Sequence, residues 1–180
     1  MSCCDQAGLM SIEQALETLL SDVTAQTKVE RRPIDQALAY VLAEDIVSAV
    51  NVPPTDNSAM DGYAINTSDY SGQALTVSQR IAAGHFPEPL VAGTAARIFT
   101  GAVIPEGANA VVMQEQCVEK DGVVTLHENI KVQQNIRPLG QDIATNSVVL
   151  EKGSRVRPQD LGLLASVGVA EVLVLSLIHI

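Results

Sequence analysis

Three short segments concentrate side chains able to hold or move charge. The first, Asp56-Asn57-Ser58-Ala59-Met60-Asp61-Gly62-Tyr63-Ala64, sets two carboxylates, an amide and a hydroxyl around a glycine that opens an apolar run. Hard oxygen ligands in a loop suit Mg2+, or an oxyanion held through Mg2+. The second, Phe99-Thr100-Gly101-Ala102 with Pro105 and Gly107 behind it, places a hydroxyl beside a glycine, where backbone N–H groups can approach an anion closely. The third, Asn135-Ile136-Arg137-Pro138-Leu139-Gly140-Gln141-Asp142-Ile143, sets Arg137 and Asp142 in a loop broken by Pro and Gly. That pair offers a bidentate fork toward phosphate, or a carboxylate contact to a metal. Each segment has a plain structural counterpart. Asp, Asn, Ser and Gly make ordinary Asx-turns, a Thr-Gly pair ends strands, and an Arg-Asp pair can simply fix its own loop. Spacing alone leaves both readings open.

Bulk properties narrow the chemistry. With 21 acidic against 11 basic residues and a net charge of -10, the chain lacks the basic excess of a nucleic-acid reader. Aromatic residues make up 3%, with no Trp, so base stacking on exposed rings is not expected either. A small anionic ligand stays compatible, with Arg97, Lys131, Arg137, Arg155 and Arg157 as sources of local positive charge. Motifs of the type G-x-x-x-x-G-K-S/T, G-x-G-x-x-G, H-E-x-x-H and G-x-S-x-G are absent, which removes support for P-loop, Rossmann, zincin and hydrolase-elbow chemistry. Cys3, Cys4 and Cys117 are odd in number and lack C-x-x-C spacing, and His85, His127 and His179 are isolated. A reduced, cytoplasmic setting with incidental thiols is the expectation. No apolar stretch approaches the roughly 20 residues of a membrane span.

The elements that must position these segments are readable. Ser11 and Gln14 form an S-x-x-Q capping box, and Ile12, Leu16, Leu19, Leu20 and Val23 repeat at helical spacing, predicting a helix over 12–22. Pro33 suits the first turn of a short helix reaching Val41, and residues 46–50 read as a strand. The run Val52-Pro53-Pro54-Thr55-Asp56-Asn57-Ser58 is made of turn formers and marks a boundary. Strands are expected over 62–65, 75–81, 95–100, 110–114, 117–120 and 123–127, with Asp121-Gly122 as a two-residue hairpin turn. Further along, a strand over 148–150, a turn at Lys152-Gly153, a helix opened by Pro158 and closed before Gly168, and an apolar strand from Glu171 follow.

The fold class expected is α+β. Residues 1–51 and 144–180 form one discontinuous α+β domain, and residues 52–143 form an inserted, mainly-β domain of short coiled strands. An apolar run from Ala170 to Ile180 predicts a strand partnered on both sides, and hence a chain cut off in mid-structure.

Taken together and in order, residues 53–64, with the string N-S-A-M-D-G-Y-A, Phe99-Thr100-Gly101-Ala102, residues 105–115 and residues 135–143 resemble the MoeA family of molybdopterin molybdenumtransferases, to which the E-domain of gephyrin also belongs. The resemblance spans nearly the whole chain. It implies insertion of molybdate into adenylylated molybdopterin with release of AMP, assisted by Mg2+. It also implies an elongated homodimer, whose cleft lies between the early domains of one subunit and a later pterin-nucleotide-binding domain of the other. That later domain is absent from these residues, so the chain alone is expected to be inactive. Other molybdenum cofactor biosynthesis proteins are the expected partners, with neither nucleic acid nor membrane among them.

By the same resemblance, Asp61, Thr100 and Asp142 are the catalytic candidates, Ser58, Gly101, Arg137 and Glu115 bind substrate, and Asp61 and Asp142 hold metal. Two other readings use the same residues: a non-catalytic scaffold of this fold, and a Mg2+-dependent phosphoryl hydrolase built on Asp56, Asp61 and Asp142. The chain departs from the family pattern in having Ala37-Leu38-Ala39-Tyr40 for Ala-x-Gly-Arg, Asn109 for Asp, and Gln133 and Asn146 for Gly.

Overall fold

The computed structural model describes residues 10–21, 28–126 and 129–176. It is built mostly of strands. The N-terminal helix α1 spans Ile12–Ser21, where Gln14 N–H donates to Ser11 Oγ and Ser11 N–H to Gln14 Oε1, both at 3.2 Å. The reciprocal box foreseen from the sequence therefore caps it. None of its residues is buried, and its apolar stripe faces outward, with Ile12 at 84% exposure. Val23, Cys3, Cys4, His127, His179 and the tail 177–180 lie outside the described residues.

The strands are β1 (Val29–Pro33), β2 (Val41–Leu42), β3 (Ile46–Val47), β4 (Asn57–Ser58), β5 (Gly62–Ile65), β6 (Leu75–Ile81), β7 (Thr94–Ile98) and β8 (Ala110–Met113). They continue as β9 (Cys117–Lys120), β10 (Val123–Leu126), β11 (Ile136–Arg137), β12 (Val148–Leu150) and β13 (Glu171–Leu175), with helix α2 (Pro158–Ser166) before the last. Pro33 departs from expectation. It closes β1 instead of opening a helix, and only a 3-10 turn, Ile34–Gln36, follows. The pairing of β1 with β13 explains why: Pro33 lies opposite Glu171 at the strand's end, where its missing N–H is least costly. The strand expected over 46–50 is shorter as well, ending at Val47.

Early and late parts of the chain pack together. Strand β13 lies between β1 and β2, and β12 pairs with β3. Ala37, Leu42, Ile46, Val156, Leu164, Val172 and Val174 form one apolar cluster from both parts. Between them runs a six-stranded sheet ordered β8-β5-β7-β6-β10-β9, antiparallel except for the parallel pair β6 and β7. Strand β5 is buried throughout because alternate residues serve opposite faces. Tyr63 and Ile65 join one cluster with Leu75, Val112 and Val124, and Ala64 joins another with Ile81, Ile98 and Val111. Asp121 and Gly122 both take positive φ, 53° and 76°, as the hairpin between β9 and β10 requires.

The left-handed positions are informative. Ala39, Gln133 and Asn146 have φ of 69°, 64° and 67°. These are the places where the family pattern noted above has glycine, which adopts that conformation without a Cβ clash.

Candidate functional site

The two-residue strand β4 gathers the three polar segments. On one side it pairs with β11, Ser58 opposite Ile136 and Asn57 opposite Arg137. On the other it meets the chain after Thr100. Ser58 N–H donates to Ala102 O at 2.9 Å, Gly101 N–H returns a bond to Ser58 O at 2.8 Å, and Asn57 bridges Val103. The run of turn formers thus contributes a two-residue strand in which each residue uses one edge for each neighbour. Asp56 adds a further tie, its Oδ1 accepting from Leu139 N–H at 2.7 Å.

From this strand the chain turns into Asp61. Ser58 is 2% exposed, and its hydroxyl donates to Met60 O at 2.6 Å, closing the turn on itself. Asp61 Oδ1 then accepts from both the N–H and the hydroxyl of Thr100, each at 2.8 Å. The Thr100 backbone N–H first and then its hydroxyl hold the Asp61 carboxyl below its ordinary value against the opposing effect of desolvation, with a lesser contribution from the positive field of Arg97. The group is therefore ionised at neutral pH, and its other oxygen accepts no hydrogen bond from a described residue. Gly62 follows because nothing larger fits: a Cβ there would stand 2.0 Å from Val112 O. Gly101, with φ of 81°, makes the turn after Thr100.

Arg137 and Asp142 form an ion pair, about half exposed on both sides. They stand on the far edge of β4 from Thr100, so the structure brings Asp61, Thr100, Gly101 and Ser58 into direct contact and sets Arg137 with Asp142 alongside. Glu115 is linked less directly. Its carboxylate accepts from Gln114 Nε2 at 3.2 Å, while Gln114 N–H donates to Asp61 O at 3.0 Å. Sequence reasoning passed over Gln114, which also takes 2.5 Å contact from Arg97. Its signal is the 3-10 turn at the end of β8, which spacing does not reveal.

One expectation about charge changes. Arg157 is not a free cation, since its side chain and N–H all reach Asp160, which is 3% exposed and held ionised first by that side chain. Among the described residues no group of three or more His, Cys, Asp or Glu is gathered to hold an ion. No helix of the described residues is long and apolar enough to cross a membrane.

Residues 10–168 match the family described as MoeA N-terminal region (domain I and II). The chain is 44% identical over 168 residues to a molybdopterin molybdenumtransferase of Haemophilus influenzae, covering 91% of this chain and 41% of that protein. A protein of the same name from Staphylococcus aureus is 34% identical over 172 residues, with 92% and 41% covered. The crystal structure of a molybdopterin biosynthesis MoeA protein from Pyrococcus horikoshii superposes with a TM-score of 0.83 at 37% identity, covering 90% of this chain and 45% of that one. The chain thus spans about 41% of the length of the curated relatives it matches.

Proposed function

The chain belongs to the MoeA N-terminal region family, and from that membership we propose that it forms one wall of a cleft in which molybdate enters adenylylated molybdopterin and AMP leaves. The observation that carries the proposal is the double hydrogen bond from Thr100 to Asp61, in the string that also carries the family likeness. It fixes an ionised carboxylate with one oxygen free, at the meeting point of three loops. Such a group can orient a water toward a phosphoryl bond without reorganising.

In this reading Asp61 and Thr100 are catalytic, with Asp142 held by Arg137 nearby, and Ser58, Gly101, Arg137 and Glu115 shape the substrate wall. Mg2+ would fit as an ion that keeps most of its water, since among the described residues no cage of protein ligands is gathered. When bound it would neutralise charge on substrate oxygens. Asp61 is the residue proposed to touch it, and Asp142, already paired, is the lesser candidate.

The proposal extends to organisation. Residues 1–51 and 144–180 form a discontinuous α+β domain, supported by the cluster that Leu42 and Ile46 share with Val156 and Val172. Residues 52–143 form the mainly-β insert that bears the site. A homodimer completes the cleft, the pterin substrate binds there, and other cofactor-biosynthesis proteins deliver or receive it. The 180 residues alone are proposed not to turn over.

The test is molybdenum insertion by a protein of the relatives' full length carrying this chain. Asp61→Asn and Thr100→Ala should each lower AMP release at saturating substrate by roughly a hundredfold. Unchanged insertion in both variants would sink the assignment.

A further inference from the structure

Two guanidinium groups lie against one ring beside this site. Arg80 Cζ stands 4.5 Å, and Arg97 Cζ 4.4 Å, from the centre of the Phe99 ring. They are therefore no farther apart than the sum of those two distances. Register brings them there: the parallel pairing of β6 with β7 sets Arg80 opposite Arg97. Like charges facing each other on neighbouring strands destabilise a sheet. In a protein with 21 acidic residues a neutralising partner would be easy to supply, yet among the described residues no carboxylate lies within ion-pair distance of either arginine. The Phe99 ring attracts both cations through its face but carries no charge to cancel them.

The two arginines differ in what they have left to give. Arg97 is half-buried and largely committed, its NH1 donating to Gly62 O at 2.8 Å and Ile98 O at 3.0 Å and its NH2 to Gln114 Oε1. Arg80 is exposed and donates no hydrogen bond to a described residue. A guanidinium carries five N–H donors in a planar fork that matches tetrahedral oxyanions. Here the fork is steadied by an aromatic face, and Thr100 follows Phe99 directly.

We propose that Arg80, with Arg97 behind it, seats a tetrahedral dianion at the rim of the Asp61–Thr100 site, either a phosphoryl group or molybdate. The seat rests on the geometry of Arg80, Arg97 and Phe99; the choice of these two oxyanions rests on the function proposed above. The net charge of -10 repels dianions at long range, so binding at this spot depends on the local pair.

The full chain, as wild type, Arg80→Ala and Arg80→Lys, is titrated calorimetrically with inorganic phosphate and separately with molybdate at fixed ionic strength. The tighter of the two names the occupant. Arg80→Ala should bind it at least about tenfold more weakly, and Arg80→Lys should fall between, keeping the charge and losing the fork. The rise in melting temperature given by the anion should shrink in step. Equal binding by wild type and Arg80→Ala overturns the seat, as does wild type binding neither anion. A fall in melting temperature without anion, with affinity unchanged, would show Arg80 to be a packing residue and also overturns it. Asp61→Asn separates the two claims: it removes a negative charge and should bind phosphate at least as well as wild type, whereas the proposed function requires it to lose molybdenum insertion. Arg80 variants with wild-type affinity beside an inactive Asp61→Asn sink the seat alone. An active Asp61→Asn beside weakened Arg80 variants sinks the function alone.

Discussion

One oxygen of Asp61 receives both hydrogens that Thr100 offers, from the backbone N–H and the side-chain hydroxyl, each at 2.8 Å. The two residues are far apart in sequence and belong to different loops. Their bond makes those loops one electrostatic unit.

Thr100→Val keeps the backbone donor, the larger influence, and removes the hydroxyl. The Asp61 carboxyl should therefore move up toward its ordinary 3.8 without reaching it, as a carbon NMR titration would record. A depressed carboxylate stabilises the fold fully above its ordinary value, and that contribution disappears as pH falls through the lowered one. Acid unfolding of the variant should begin at higher pH than that of wild type. An unmoved Asp61 titration would contradict the bond.

Gly62→Ala should be among the most damaging small substitutions. The added methyl would stand 2.0 Å from Val112 O and 2.8 Å from its carbonyl carbon, both backbone atoms of the neighbouring strand. Separating β5 from β8 should cost at least about 3 kcal/mol. Denaturant unfolding would check this, and a loss below about 1 kcal/mol would show that the strands can part cheaply.

Ala39→Gly should stabilise the chain by about 1 kcal/mol, because alanine there occupies the left-handed region at φ 69°. Gln133→Gly should act similarly from 64°. Asn146→Gly should change little, since asparagine tolerates that region. Urea midpoints of the three variants would rank them, and Ala39→Gly falling below wild type would refute the account.

Cys117 should resist alkylation. Burial pushes its thiol from an ordinary 9.0 to about 11, and the thiolate is the reactive form. At pH 8 its peptide should be modified roughly a hundredfold more slowly in the folded than in the unfolded chain, followed by mass spectrometry. Tyr63 is raised from 10.0 to about 12, by burial first and then by its bond to Glu119. Both groups favour the fold while protonated. Their contribution is complete below their ordinary values and is lost as pH rises through the raised ones, so alkaline unfolding should steepen above about pH 9.

What the sequence makes legible depends on how local each signal is. The Ser11–Gln14 cap, the Asp121-Gly122 turn and the apolar alternation of β6 are set by neighbours within a few residues, and the structure has them as expected. Pro33 misleads because its role depends on β13, which arrives only after residue 170. The site divides in the same way. Asp61, Thr100, Ser58 and Gly101 stand out by residue type, and they meet. Arg80 and Gln114 carry no such mark, because their importance comes from the register of β6 on β7 and from the turn after β8. Arg32 Cζ lies 4.2 Å from the ring centre of Tyr40, a contact set by the packing of β1 and not marked in the sequence.

The brevity of β4 has a consequence for how this surface can vary. Asn57 and Ser58 are both in use on both edges, so a one-residue deletion between Pro53 and Asp61 cannot be absorbed by sliding. It would exchange the neighbours of every loop at once. Substitutions can accumulate in any of the three loops, but their lengths are coupled, and a natural variant that shortens one should carry a matching change in another.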